Sequence, residues 1–196
     1  LDDLDGGRCV DLALRICPED LQEVIQAGAC RLGMCGSDPA QVGNMASHID
    51  HTLLKADATR AQVEKLCAEA SEHQFATVCV NGSRVELAYS HLEESDVQVC
   101  TVVGFPLGAM DADAKRYETE AAVDAGAGEI DMVMNIGRFK DNEHDYVVRE
   151  IRDVVEAADA RVVKVILETC LLSNDEIVQA SKLVVQAQAH FVKTST

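Results

Sequence analysis

No apolar run in this 196-residue sequence approaches the ~20 residues needed to span a bilayer, and no charged-then-apolar signal segment opens it. Basic residues are scarce: 17 Lys and Arg stand against 34 Asp and Glu, for a net charge of -17. That balance argues against nucleic acid or an anionic membrane as partner. It also means that a phosphorylated ligand must be held by a local device, backbone amides or one Lys, against the overall field. No Gly-x-Gly-x-x-Gly follows a strand-like run, which weighs against a dinucleotide-binding fold. The eight cysteines include no Cys-x2-Cys pair, and no His pair completes a zinc set. Cys30-x4-Cys35 and Cys9-x7-Cys17 are too widely spaced, while Cys67, Cys79, Cys100 and Cys170 fall in apolar periodic positions or strands. The expectation is reduced thiols in a soluble, cytoplasmic protein.

What the chain does contain is an ordinary globular composition, 47% hydrophobic and 26% charged, long enough for one domain with a sizeable core. From Ser47 onward, strand and helix patterns alternate. Strands are expected at His48–Leu54, Ala76–Val80, Val97–Val103, Glu129–Met134, Arg161–Leu167 and Ala189–Lys193. Between them, Val63, Leu66, Cys67 and Ala70 share a helical face, as do Val147, Ile151, Val154, Val155 and Ala158. Ile177, Ala180, Val184 and Ala187 form a third face. Helix starts are marked by Asp57 and by the capping box Ser173-x-x-Glu176. Val/Ile-rich strands with little polar alternation suit a parallel sheet buried on both faces. Repeated βα units give a doubly wound sheet or a (β/α)8 barrel, and glycine in αβ loops, as in Ala125-Gly126-Ala127, favours the barrel.

Barrel chemistry gathers at the C-terminal strand ends. Asp131 lies inside Glu129-Ile130-Asp131-Met132-Val133, Lys164 interrupts Val162-Val163-Lys164-Val165-Ile166-Leu167, and Lys193 ends Phe191-Val192-Lys193. Buried unpaired charges cost several kcal/mol, so three ionisable groups on nearby strands suggest a mutually compensating cluster. A desolvated lysine amine forms a Schiff base with a carbonyl. A second lysine is expected to lower its pKa, and an Asp holds a water for proton transfer. The alternative is a buried ion pair with no chemistry.

At these residues the chain resembles the deoxyribose-phosphate aldolases, a family of class I aldolases. The matching segments are Ser47-His48-Ile49-Asp50-His51-Thr52-Leu53-Leu54-Lys55, Phe75-Ala76-Thr77-Val78-Cys79-Val80-Asn81 and Val102-Val103-Gly104-Phe105-Pro106-Leu107-Gly108. Gly128–Val133, Lys164–Thr169 and Phe191–Thr196 follow in the family's order. The resemblance implies reversible cleavage of 2-deoxy-D-ribose 5-phosphate to D-glyceraldehyde 3-phosphate and acetaldehyde, with no metal and no cofactor. It also implies a homodimer. By residue, it makes Lys193 the Schiff-base lysine, Asp131 the acid/base carboxylate working through water, and Lys164 a second lysine in the pocket. Asp50, Cys79 and Thr194 match positions facing the substrate, although for Cys79 a core thiol is the stronger reading.

The chain also departs from that pattern. Cys17–Gly33 looks like the family's last helix and strand, with Arg8–Ile16 in the place of a seventh strand. The expected architecture is thus an α/β (β/α)8 TIM barrel, incomplete near the sixth helix and circularly permuted. Residues 1–46 would supply the family's C-terminal strand–helix–strand, the alternative being an unrelated leader, and residues 47–196 strands one to six. Val10, Ala13 and Leu14 stand where the family has an assisting lysine and two phosphate-binding glycines, and Gly33-Met34-Cys35-Gly36, then Ser37, replace its Gly-x-Ser-Ser. Gln188 takes the place of a glycine and His190 that of an Asp. A weakened aldolase is one expectation. A non-catalytic barrel with a structural role, and a Schiff-base lyase for an unphosphorylated aldehyde, are the others.

Overall fold

Parallel strands need both faces covered, and a computed structural model, which describes residues 45–196, shows how this chain does it. The expectations resting on residues 1–44 lie outside the described residues. They include the seventh strand at Arg8–Ile16, Val10, Ala13, Leu14, Gly33 to Ser37, and the thiols of Cys9, Cys17, Cys30 and Cys35.

Six strands form one parallel sheet in sequence order: β1 (Asp50–Leu53), β2 (Thr77–Val80), β3 (Gln98–Val103), β4 (Glu129–Val133), β5 (Val162–Ile166) and β6 (Phe191–Lys193). Helices α1 (Arg60–His73), α2 (Val85–Leu92), α3 (Ala112–Asp124), α4 (Ile136–Lys140), α5 (His144–Ala157) and α6 (Asn174–Gln186) connect them. The outward residues of the central strands, among them Val78, Val80, Val99, Ile130, Met132, Val163 and Val165, pack on the apolar faces of the helices. Val63, Leu66, Cys67 and Ala70 of α1 and Val147, Ile151 and Val154 of α5 are buried there, as the periodicity expects. A second, smaller cluster of Cys79, Cys100 and Val102, with Leu54 and Phe105, lies on the opposite, inner face.

That inner face is concave. In a flat sheet, the first and sixth strands would stand about 24 Å apart at ~4.8 Å per strand. Here Lys193 Nζ of β6 comes within 3.5 Å of Asp50 Oδ2 of β1. The sheet therefore curls like the wall of a barrel, with β1 and β6 as its outer strands among the described residues.

Several boundaries differ from the sequence expectation. Helix α1 starts at a capping box between Thr59 and Gln62, two residues after Asp57; the Ser173–Glu176 box is as expected. Strand β1 begins at Asp50 and β6 at Phe191. His190 is held next to β5 by other means: its N–H donates to Val163 O at 2.9 Å, and Val163 N–H donates to His190 Nδ1 at 3.1 Å. Gly126 takes φ 104 and Gln188 φ 64, so both αβ turns use the left-handed region, one of them without glycine. Cys170 is a correction. It is exposed in a 3-10 turn, Thr169–Leu171, its thiol donating to Glu168 Oε1 at 3.2 Å.

Helix α3 was not marked by apolar periodicity because its buried face is Lys115, Thr119 and Ala122. Lys115 Nζ, fully buried, donates to Gly108 O and Val133 O at 2.8 Å and to Glu150 Oε1 at 2.7 Å. Asn135 N–H donates to Glu150 Oε2 at 3.1 Å. This pair ties the β3–α3 loop to the end of β4 and to α5, around the rim where the strands end. Gly108 belongs to the same knot: a Cβ there would sit 2.2 Å from Met134 O.

Candidate active site

Side chains on a strand alternate between faces. On β4, Ile130 and Met132 go outward to the helices, which turns Glu129 and Asp131 inward. On β5, Val163 and Val165 face outward and Lys164 inward; on β3, Val99 and Val103 are outward and Cys100 and Val102 inward. The register sets Asp131 beside Lys164 and Ile166 beside Lys193. The curl then brings Asp50 of β1 across to the same place.

The result is a charged cluster of five groups. Lys164 Nζ lies 2.7 Å from Asp50 Oδ2, 2.6 Å from Glu129 Oε2 and 3.5 Å from Asp131 Oδ1. Lys193 Nζ donates a short hydrogen bond to Asp131 Oδ2 and lies 3.5 Å from Asp50 Oδ2. Thr77 Oγ1 donates to Asp50 Oδ1 at 2.8 Å, fixing that carboxylate's plane. Asp131 is fully buried, whereas the Lys193 side chain keeps 31% of its surface exposed. Lys193 is thus the most exposed member of the cluster.

Asp131, Lys164 and Lys193, singled out by the sequence, lie together in one cluster, and Asp50 joins them. Cys79 is buried beside Cys100 in the inner apolar cluster, aligned with it across β2 and β3. Thr194 is exposed just past Lys193, its carbonyl accepting from Thr169 N–H at 2.7 Å. Glu129 was missed. Its signal was its spacing, two residues before Asp131 and so on the same face.

The electrostatics correct one expectation. Burial pulls the Lys193 pKa down, but the hydrogen bond and charge of Asp131 outweigh it and hold the group above the ordinary lysine value. Lys164 does lower it, as anticipated, by less than the carboxylate raises it. Lys164 is itself raised: burial opposes its charge, while the Cys100 sulfur, the Asp131 charge and the contacts with Asp50 and Glu129 favour it. Asp50 is lowered: burial pushes it up, and its hydrogen bonds and charge contacts with Lys164, then Thr77 and Lys193, overcome that. A hydrogen bond with Cys79 that favours the protonated thiol, together with burial, keeps Cys100 well above the usual range.

Cys79, Cys100 and Asp131 place potential ligand atoms within 4.8 Å of one another. The Lys164 ammonium, 3.9 Å from Cys100 Sγ and 3.5 Å from Asp131 Oδ1, already faces two of the three, so the cation in this corner is the protein's own. The arrangement provides an amine, a buried carboxylate to take its proton, and a fixed second ammonium. That is what covalent catalysis on a carbonyl needs.

The comparisons agree with this chemistry. A family model described as DeoC/LacD family aldolase matches residues 44–196. A deoxyribose-phosphate aldolase of Clostridium perfringens is 54% identical over 153 residues, covering 78% of this chain and 68% of that protein. One of Exiguobacterium sibiricum is 56% identical over 154 residues, covering 78% and 70%. The deoxyribose phosphate aldolase of Aeropyrum pernix, a tetramer, matches with a TM-score of 0.73 at 32% identity, over 89% of this chain and 70% of its own. The aldolase QR15 matches with a TM-score of 0.74 at 37% identity, over 77% and 67%.

Proposed function

The chain belongs to the DeoC/LacD family of aldolases, and from that premise we propose that it cleaves 2-deoxy-D-ribose 5-phosphate reversibly to D-glyceraldehyde 3-phosphate and acetaldehyde through an imine on Lys193. The observation that carries the residue assignment is the contact, on the concave inner face, between a partly exposed lysine at the end of β6 and a fully buried carboxylate on β4, two strands away.

The steps follow from that pair. Lys193 rests as an ammonium bonded to Asp131, so the proton it must lose has an acceptor in contact. The freed amine adds to the C1 aldehyde of the open-chain sugar. The protonated Asp131 returns its proton to the carbinolamine oxygen, which leaves as water and gives the iminium. A base, Asp131 acting through water, then takes the proton of the C3 hydroxyl. The C2–C3 bond breaks, C3 becomes the aldehyde of glyceraldehyde 3-phosphate, and the electron pair passes into the iminium to form an enamine. Protonation at C2 and hydrolysis release acetaldehyde and the free lysine. Lys164, contacted by Asp50, Glu129 and Asp131, stays cationic throughout and stabilises the Asp131 carboxylate whenever it is charged.

Incubation with acetaldehyde and borohydride tests this reading. One ethyl group is expected, and peptide mapping should place it on Lys193. Labelling spread over exposed lysines such as Lys65 would sink the assignment.

A further inference from the structure

Of the three carboxylates that touch Lys164, two also touch Lys193: Asp50 through the same oxygen, Oδ2, and Asp131 through its other oxygen. Glu129 touches Lys164 alone, at 2.6 Å. It is also the first residue of β4, two positions below Asp131, on the side away from the strand ends where Lys193 emerges. Its contacting oxygen and Asp131 Oδ1 make no hydrogen bond and both face the Lys164 ammonium. Two lysines thus compete for two shared carboxylates, and a third carboxylate is reserved for one of them.

We infer that Glu129 is a positioning residue for imine formation: it anchors the Lys164 ammonium low in the barrel wall and so leaves Asp131 to Lys193. This rests on Lys193 being the imine-forming lysine. Among the described residues, the charged and titratable groups facing this cluster are Asp50 from β1, Cys79 from β2, Cys100 from β3, Glu129 and Asp131 from β4, Lys164 from β5 and Lys193 from β6. Three carboxylates outnumber two ammoniums. Loss of the Glu129 charge makes the numbers equal and turns Lys164 toward the carboxylates it shares. Lys164, turned onto Asp50 and Asp131, takes up the carboxylates that Lys193 touches and so disfavours the Lys193 ammonium, and the free amine forms at lower pH.

The test is the pH dependence of borohydride trapping at Lys193, mapped by mass, in the parent and in variants shown to be folded by circular dichroism. Glu129→Gln should move the onset of trapping about one pH unit toward acid. Glu129→Asp, which keeps the charge, should stay near the parent. In a Lys164→Gln background, adding Glu129→Gln should produce no further shift, because the effect runs through Lys164. An unmoved onset in folded Glu129→Gln overturns the inference, as does an equal shift without Lys164. Should Glu129→Gln alone not fold, the two Lys164→Gln proteins decide by themselves: coincident profiles support the inference and separated ones overturn it. A parent protein that never labels Lys193 overturns the aldolase assignment and the Glu129 role with it, whereas a parent that labels and a Glu129→Gln protein with an unmoved onset overturn the Glu129 role alone.

Discussion

Asp131 is the residue through which the two lysines communicate, with one oxygen toward each. Asp131→Asn keeps the shape and one acceptor oxygen but removes the base and the charge. Turnover should fall roughly 10²–10⁴-fold, the usual weight of a general acid–base group. The pH dependence should move in a defined direction at the same time. The carboxylate raises the Lys193 pKa, so its removal lowers that pKa, and the onset of imine trapping shifts toward acid even as cleavage slows. Steady-state rates and trapping profiles on the same variant check both halves; unchanged specific activity in the folded variant would make the carboxylate a structural partner only. At this scale the sequence was informative because charge is costly inside an apolar strand, so Asp131, Lys164 and Lys193 stood out from their neighbours. Glu129 did not, since it begins its strand, and a strand-end glutamate is ordinarily solvated. The direction of the Lys193 shift was also out of reach. It depends on which carboxylate touches the amine, and contact across β4, β5 and β6 is not encoded in any one strand.

Among the elements, the turn before β6 carries avoidable strain. Helix α6 ends at Gln186, and Gln188 takes φ 64, a conformation that costs a side-chain-bearing residue about 1–2 kcal/mol. Gln188→Gly removes that cost but adds freedom to the unfolded chain, worth roughly 0.5–1 kcal/mol in the other direction. The net expectation is stabilisation by about 0–1.5 kcal/mol, read as a higher urea midpoint with an unchanged slope. A lower midpoint would mean that the Gln188 side chain contributes contacts exceeding the strain. This turn was legible because a glycine was expected at that position. The helices packed by apolar stripes were legible for the same reason: their burial is written as periodicity. Helix α3 escaped because it buries a lysine and a threonine, a pattern that makes sense only with Glu150 and the β3–α3 loop in place. Short α2 and α4 offer too few turns for a period to register.

For the whole molecule, alternation of strands and helices pointed to a barrel, and the curl that joins β1 to β6 through Asp50 and Lys193 bears this out for the described residues. Among those residues no helix is long and apolar enough to cross a membrane. The remaining consequence is one of charge. A net charge of -17 repels a phosphate dianion approaching the site, and the three carboxylates of the cluster outnumber its two ammoniums. Raising ionic strength to about 0.15 M shortens the reach of that field to ~8 Å. KM for 2-deoxyribose 5-phosphate should therefore fall as salt is raised from a few millimolar, whereas KM for unphosphorylated 2-deoxyribose should hardly change and kcat should stay level for both. The comparison separates the general field from a local phosphate grip, because an uncharged substrate feels neither. A KM that rises with salt for the phosphorylated sugar alone would show the opposite balance. Attraction at close range, from amides or a cation around the phosphate, would then exceed the repulsion of the whole chain.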